Sequence, residues 1–81
     1  MTNVGILDYG LGNVYSLRSA CLRLGCQASL VTSPDEVADC DSLLLPGVGA
    51  FPEAMRRLRS TGFDAAIERH AAQGKRILGI C

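Results

Sequence analysis

An open parallel α/β sheet with helices on both faces is the fold class this sequence predicts, and three observations predict it. Four short apolar runs, at residues 3–8, 26–31, 43–45 and 77–80, have the length of strands rather than of helices. Between them, apolar residues recur at the helical spacing of three and four. The runs are mostly continuous, as strands buried on both faces of a parallel sheet read.

Each element has its own local reason. The run from Asn3 to Asp8 ends in an acid and passes into the tight, glycine-rich turn Tyr9-Gly10-Leu11-Gly12-Asn13. Val14, Leu17, Cys21 and Leu24, with Ala20 beside them, form the stripe of a first helix. Asn13 is placed to cap its start and Gly25 to end it. Cys26 to Val31 alternates into a second strand. Ser33-Pro34-Asp35-Glu36 is a capping box with proline at the first helical position, which starts a short helix. Asp41-Ser42 leads into a third strand, Leu43-Leu44-Leu45, closed by Pro46-Gly47-Val48-Gly49-Ala50. Phe51, Ala54, Met55 and Leu58 then mark a helix whose other face carries Arg56, Arg57 and Arg59. Thr61-Gly62 ends it. A further helix is capped by Asp64, carries Phe63, Ile67 and Ala71 on one side and stops at Gly74. Lys75 to Cys81 reads as a fourth, buried strand with a cysteine at its tip. Right-handed crossovers between these elements predict the strand order 2-1-3-4 of flavodoxin-like sheets.

Composition narrows the function. The 81 residues are 48% apolar with a formal charge of zero, which fits one small packed domain and excludes a disordered chain. No basic patch with interleaved aromatics offers a nucleic-acid surface. No apolar run approaches the roughly 20 residues of a membrane span, and the N-terminus lacks the pattern of a signal peptide, so a cytoplasmic location is expected. Cys21, Cys26, Cys40 and Cys81 form no C-x-x-C pair and have no histidine at ligand spacing, so neither a zinc site nor a disulfide framework is predicted. Cys21, Cys26 and Cys40 are expected to pack as small apolar residues.

In such sheets, ligands bind beyond the carboxyl ends of the strands. Three unusual segments fall there: Asp8 to Asn13, Pro46 to Ala50, and Cys81. Gly79-Ile80-Cys81 reads as the first half of a nucleophile elbow, in which a strand-to-helix turn exposes a reactive side chain. A turn with glycine on both sides of one residue can aim successive amides into one cavity, so the Val48 and Gly49 amides are candidate oxyanion donors. The Gly10-x-Gly12 pair does not complete a dinucleotide fingerprint, because Tyr15 stands at the third glycine position. Asp8 reads as a turn-forming or helix-capping acid and Asn13 as a helix cap, rather than as catalytic groups. His70, the single histidine, sits on the helix before the last strand and is expected as a surface or helix-face residue, not as the base of a cysteine. A rival reading is a flavodoxin-like module whose glycine-rich loops hold a small molecule or phosphate while Cys81 is packing.

Taken together, Asp8-Tyr9-Gly10-Leu11-Gly12-Asn13, Leu45-Pro46-Gly47-Val48-Gly49-Ala50-Phe51 with Ala54-Met55, Gly74-Lys75 and Leu78-Gly79-Ile80-Cys81 resemble class I (triad) glutamine amidotransferases. Within that class they are similar to the glutaminase subunits of imidazole glycerol phosphate synthases, from histidine biosynthesis. A proline typical of the family after the lysine is Arg76 here. The resemblance covers residues 1–81 as the N-terminal part of one glutamine amidotransferase domain, ending at the nucleophile. It implies that Cys81 attacks glutamine to give a thioester and ammonia. It also implies that Gly47, Val48 and Gly49 form the oxyanion strand. The histidine and glutamate of the triad would lie downstream, so residues 1–81 alone are expected to be inactive. It further implies a heterodimer with a (β/α)₈ cyclase subunit that receives the ammonia. Tyr9, Gly10, Gly12 and Asn13 would then face the partner or carry its signal. No metal or organic cofactor is implied.

Overall fold

Four parallel strands frame the molecule: β1 (Asn3–Leu7), β2 (Gln27–Val31), β3 (Ser42–Pro46) and β4 (Arg76–Ile80). They come from a computed structural model that describes residues 3–47 and 51–80. The sheet order is β2-β1-β3-β4, as the alternation of strands and helices predicts. Ile6 lies opposite Leu30 of β2 and Leu44 of β3, and Leu44 lies opposite Leu78 of β4.

Successive strand residues point to opposite faces, so each apolar run feeds two cores. On one face Ile6 and Ala28 of the sheet are buried against Val14 of α1 (Val14–Arg23), with Leu17 and Cys21 of α1 and Leu30 and Leu44 of the sheet partly buried around them. On the other face Leu7, Val31 and Leu43 meet Val37, Leu58, Phe63 and Ala66. Those last four come from a 3₁₀ helix (Pro34–Asp39), α2 (Phe51–Thr61) and α3 (Phe63–Ala72). Phe63 is the largest fully buried side chain there. Taking a side chain of its size out of water contributes roughly 1.5–3 kcal/mol.

Local capping chemistry sets most boundaries. The Asn13 side chain accepts from the Ser16 N–H at 3.1 Å and starts α1. Glu36 Oε1 accepts from the backbone N–H groups of Thr32 and Ser33, both at 3.0 Å, and so anchors the 3₁₀ turn. Those amides, Thr32 first, hold its carboxyl below the usual carboxylate range. Gly62 separates α2 from α3 in a left-handed conformation at φ 84°.

Several expectations need correction. Asp64 lies inside the first turn of α3, whose cap residue is Gly62. The buried side of α3 is Phe63, Ala66 and His70, and Ala71 is exposed, because the 3₁₀ helix packs on α3 beside the sheet and turns that stripe toward both. Leu24 is 81% exposed: α1 ends at Arg23, so Leu24 is its cap and clears the sheet. Of the three cysteines expected in packing roles, Cys40 is buried, Cys21 is half-buried and Cys26 is exposed. β4 is not a buried strand. Only β3 pairs with it, and Ile77 and Leu78 remain 36% and 59% exposed, since α1 covers β1 and β2 but not this edge. No helix among the described residues is long and apolar enough to cross a membrane.

Candidate functional site

A parallel sheet delivers all its strand C-termini to one edge. The order β2-β1-β3-β4 makes β1, β3 and β4 consecutive there. Asp8 to Asn13, Gly47 and Ile80, far apart in sequence, therefore lie at neighbouring strand tips. Val48, Gly49 and Cys81 lie outside the described residues.

At the tip of β3 the Gly47 N–H donates to the Ile80 carbonyl at 2.7 Å. This bond extends the β3–β4 ladder by one residue. It sets Gly47, the first of the proposed oxyanion residues, beside the residue that precedes Cys81. Only the Ile80 carbonyl, at 3.7 Å, lies within 4 Å of where a Gly47 Cβ would sit.

The loop after β1 leans onto the same tip. Tyr9 is buried, and its hydroxyl donates to the Pro46 carbonyl at 2.6 Å. Gly12 sits at φ 85°, where a Cβ would come within 2.8 Å of the Pro46 Cβ. Glycine is required twice over at this position, by the left-handed backbone and by the close approach. Gly10, at φ 93°, presents its carbonyl to Arg57 Nη1 at 3.2 Å. One side of this loop is thus packed against Pro46 and Arg57. Asn13 is exposed and its side-chain oxygen is committed to capping α1. The Asp8 N–H is committed to the Val31 carbonyl at 2.9 Å, which continues the β1–β2 ladder.

Arg57 is the residue that sequence reasoning undervalued. Helical spacing places it on the polar face of α2, and from there its guanidinium bridges Gly10 and Glu53, with Nε at 3.1 Å from Glu53 Oε1. Glu53 also takes two bonds from Arg56, at 2.8 and 2.6 Å. Arg56, then Arg57, hold the Glu53 carboxyl down to about 2. The helical spacing of Glu53, Arg56 and Arg57 announces the ion pairs. Nothing local announces the bond to Gly10, because it joins residues 47 apart in sequence.

His70 is placed away from the tips. It is buried rather than at the surface, and its Nε2 is 2.9 Å from the carbonyl of Arg76, the first residue of β4. Burial follows from the packing of α3 against the 3₁₀ helix. From Arg76 to Ile80, β4 runs about 13 Å at strand rise, so His70 sits at the end of that strand opposite the tips. Cys40 lies beneath the sheet, where its Sγ donates to the Glu36 carbonyl at 3.6 Å. Burial first, then Asp39, pushes its thiol pKa up, which suits packing rather than nucleophilic work. Among the described residues, no three His, Cys, Asp or Glu side chains gather where they could hold a metal ion.

Comparison with known proteins agrees with this frame. Residues 4–81 match the model of the CobB/CobQ-like glutamine amidotransferase domain. The imidazole glycerol phosphate synthase subunit HisH of Prochlorococcus marinus (strain MIT 9211) is 45% identical over 80 residues, which cover 99% of this chain and 38% of that protein. HisH of Symbiobacterium thermophilum is 44% identical over 81 residues, with 100% and 38% covered. The chain therefore spans less than two-fifths of the length of these curated relatives. A solved structure titled "Crystal structure of glutamine amidotransferase" superposes with a TM-score of 0.80 at 24% identity, over 96% of this chain and 41% of that one, and establishes the likeness of fold.

Proposed function

Because the chain belongs to the CobB/CobQ-like glutamine amidotransferase domain family, we propose that it is the nucleophile-bearing, N-terminal part of a glutaminase, the ammonia-supplying subunit of an imidazole glycerol phosphate synthase. The observation that carries this reading is the Gly47 N–H to Ile80 carbonyl bond at 2.7 Å. It supports a site in which residues 47–49 run beside the residue that follows Ile80. The similarity to HisH proteins over nearly the whole chain supports the choice of synthase.

In the proposed reaction the Cys81 thiolate attacks the glutamine carboxamide carbon. The amide N–H groups of Val48 and Gly49 are candidate donors to the oxygen that becomes negative, where a donor typically contributes 10²–10³ in rate. Collapse breaks the C–N bond, ammonia leaves, and a glutamyl thioester remains. Water hydrolyses the thioester to glutamate and regenerates the thiol. The base that activates Cys81 and protonates the leaving nitrogen is a histidine oriented by a glutamate, both supplied by sequence beyond residues 1–81. Ammonia passes to a (β/α)₈ cyclase partner, with the surface from Tyr9 to Asn13 toward it, and the heterodimer works in the cytoplasm without a metal or organic cofactor.

Alanine at position 81 tests the core of this reading. In the complete subunit assembled with its cyclase, Cys81→Ala removes glutamine-dependent synthesis and leaves ammonia-dependent synthesis intact. Glutamine hydrolysis that survives the substitution refutes it.

A further inference from the structure

The loop after β1 grips the chain on both sides of residues 47–50. On the upstream side the Tyr9 hydroxyl holds the Pro46 carbonyl at 2.6 Å, and Gly12 packs against the Pro46 ring. On the downstream side Arg57 of α2 reaches back to the Gly10 carbonyl at 3.2 Å. The same guanidinium holds Glu53, one turn earlier on α2, at 3.1 Å. The entry to the 47–50 segment and the helix that follows it are thus both referenced to one short loop. The two contacts from Arg57 leave its planar fork by different N–H groups, a geometry that a lysine ammonium does not reproduce.

We infer that Arg57 is a positioning residue for glutamine hydrolysis: by bonding Gly10 and Glu53 together it fixes α2 against the loop after β1, and so fixes the exit of the segment that carries Val48 and Gly49. The inference rests on the proposed role of those two amides. Its force comes from the tolerance of such a site, since a displacement of about 1 Å remote from the reacting atoms can cost up to 10² in rate. Arg57 touches no substrate in this account. It acts by holding backbone in register.

The test uses Arg57→Met and Arg57→Lys in the complete glutaminase subunit assembled with its cyclase, with unsubstituted enzyme and Cys81→Ala alongside. Initial rates of glutamine hydrolysis are measured across glutamine concentrations. Arg57→Met lowers kcat about ten-fold and leaves KM within about two-fold, and Arg57→Lys falls between it and wild type. A merely structural arginine would lower the melting temperature without changing kcat of the folded enzyme. Wild-type kcat in Arg57→Met, or a change confined to KM, overturns the inference. If Arg57→Met does not fold, Arg57→Lys decides alone: a reduced kcat supports the positioning role and an unchanged one overturns it. Undiminished hydrolysis by Cys81→Ala sinks the functional reading itself. An inactive Cys81→Ala beside an unaltered Arg57→Met sinks only the positioning role.

Discussion

Gly12→Ala, compared with Gly25→Ala, isolates the contact that binds the loop after β1 to the tip of β3. Both glycines are left-handed, at φ 85° and 80°. Alanine at either costs about 1–2 kcal/mol for the left-handed backbone. Each substitution regains about 0.4–1 kcal/mol by restricting the unfolded chain. These terms cancel between the two variants, and the difference lies in what the new methyl meets. At Gly25 no atom lies within 4 Å of it. At Gly12 it meets the Pro46 Cβ at 2.8 Å, and the Pro46 carbonyl carbon and Cγ at 3.4 Å. Pro46 cannot yield cheaply, because it is the last residue of β3 and its carbonyl is held by Tyr9. Forcing a methyl into such a place costs about 1–3 kcal/mol. With an m-value near 1 kcal/mol per molar urea, the Gly12→Ala midpoint should fall about 1–3 M below that of Gly25→Ala. Urea unfolding of the 81-residue chain, followed by far-UV circular dichroism, measures it. Midpoints equal within error would refute the packing of this loop on Pro46, and with it one arm of the bracket around residues 47–50.

Two further outcomes test the electrostatics and the burial. Brief alkylation with iodoacetamide at pH 8, read by mass spectrometry, should label Cys26 and spare Cys40, whose thiol is buried and whose pKa is raised; equal labelling of the two would contradict the placement of Cys40. Glu53 titrates at about 2 in the folded chain against 4.5 ordinarily, a depressed carboxyl, so its stabilisation is complete above pH about 4.5 and is lost as pH falls toward 2. The difference in melting temperature between wild type and Glu53→Gln should therefore be constant above pH about 5 and shrink below 4.5. A difference that grows on acidification would show that the Arg56 and Arg57 bonds are not its source.

Much of the frame was legible because its causes are local. Asn13 capping α1, the Glu36 box over Thr32 and Ser33, and glycine at the helix ends each act within about four residues, and the strand order followed from handed crossovers. The errors fell where the answer depends on what packs against a residue. Periodicity marks an apolar stripe but not its depth, so Leu24 and Ala71 came out exposed, and His70 was buried against the carbonyl of Arg76. Leu78 looks as apolar as Leu43, yet one is at the edge of the sheet and the other at its centre.

The sequence by itself determined the alternation of strands and helices, the glycines that turn between them, and the motifs that point to a glutamine amidotransferase, because each is written in neighbouring residues. Tertiary structure alone decided that Gly47 would sit beside Ile80, that Tyr9 would hold Pro46, and that Arg57 would cross to Gly10. Those contacts join residues that are 33, 37 and 47 positions apart. They exist only once the parallel sheet has carried three strand tips to one edge, where short-range sequence signals have no reach.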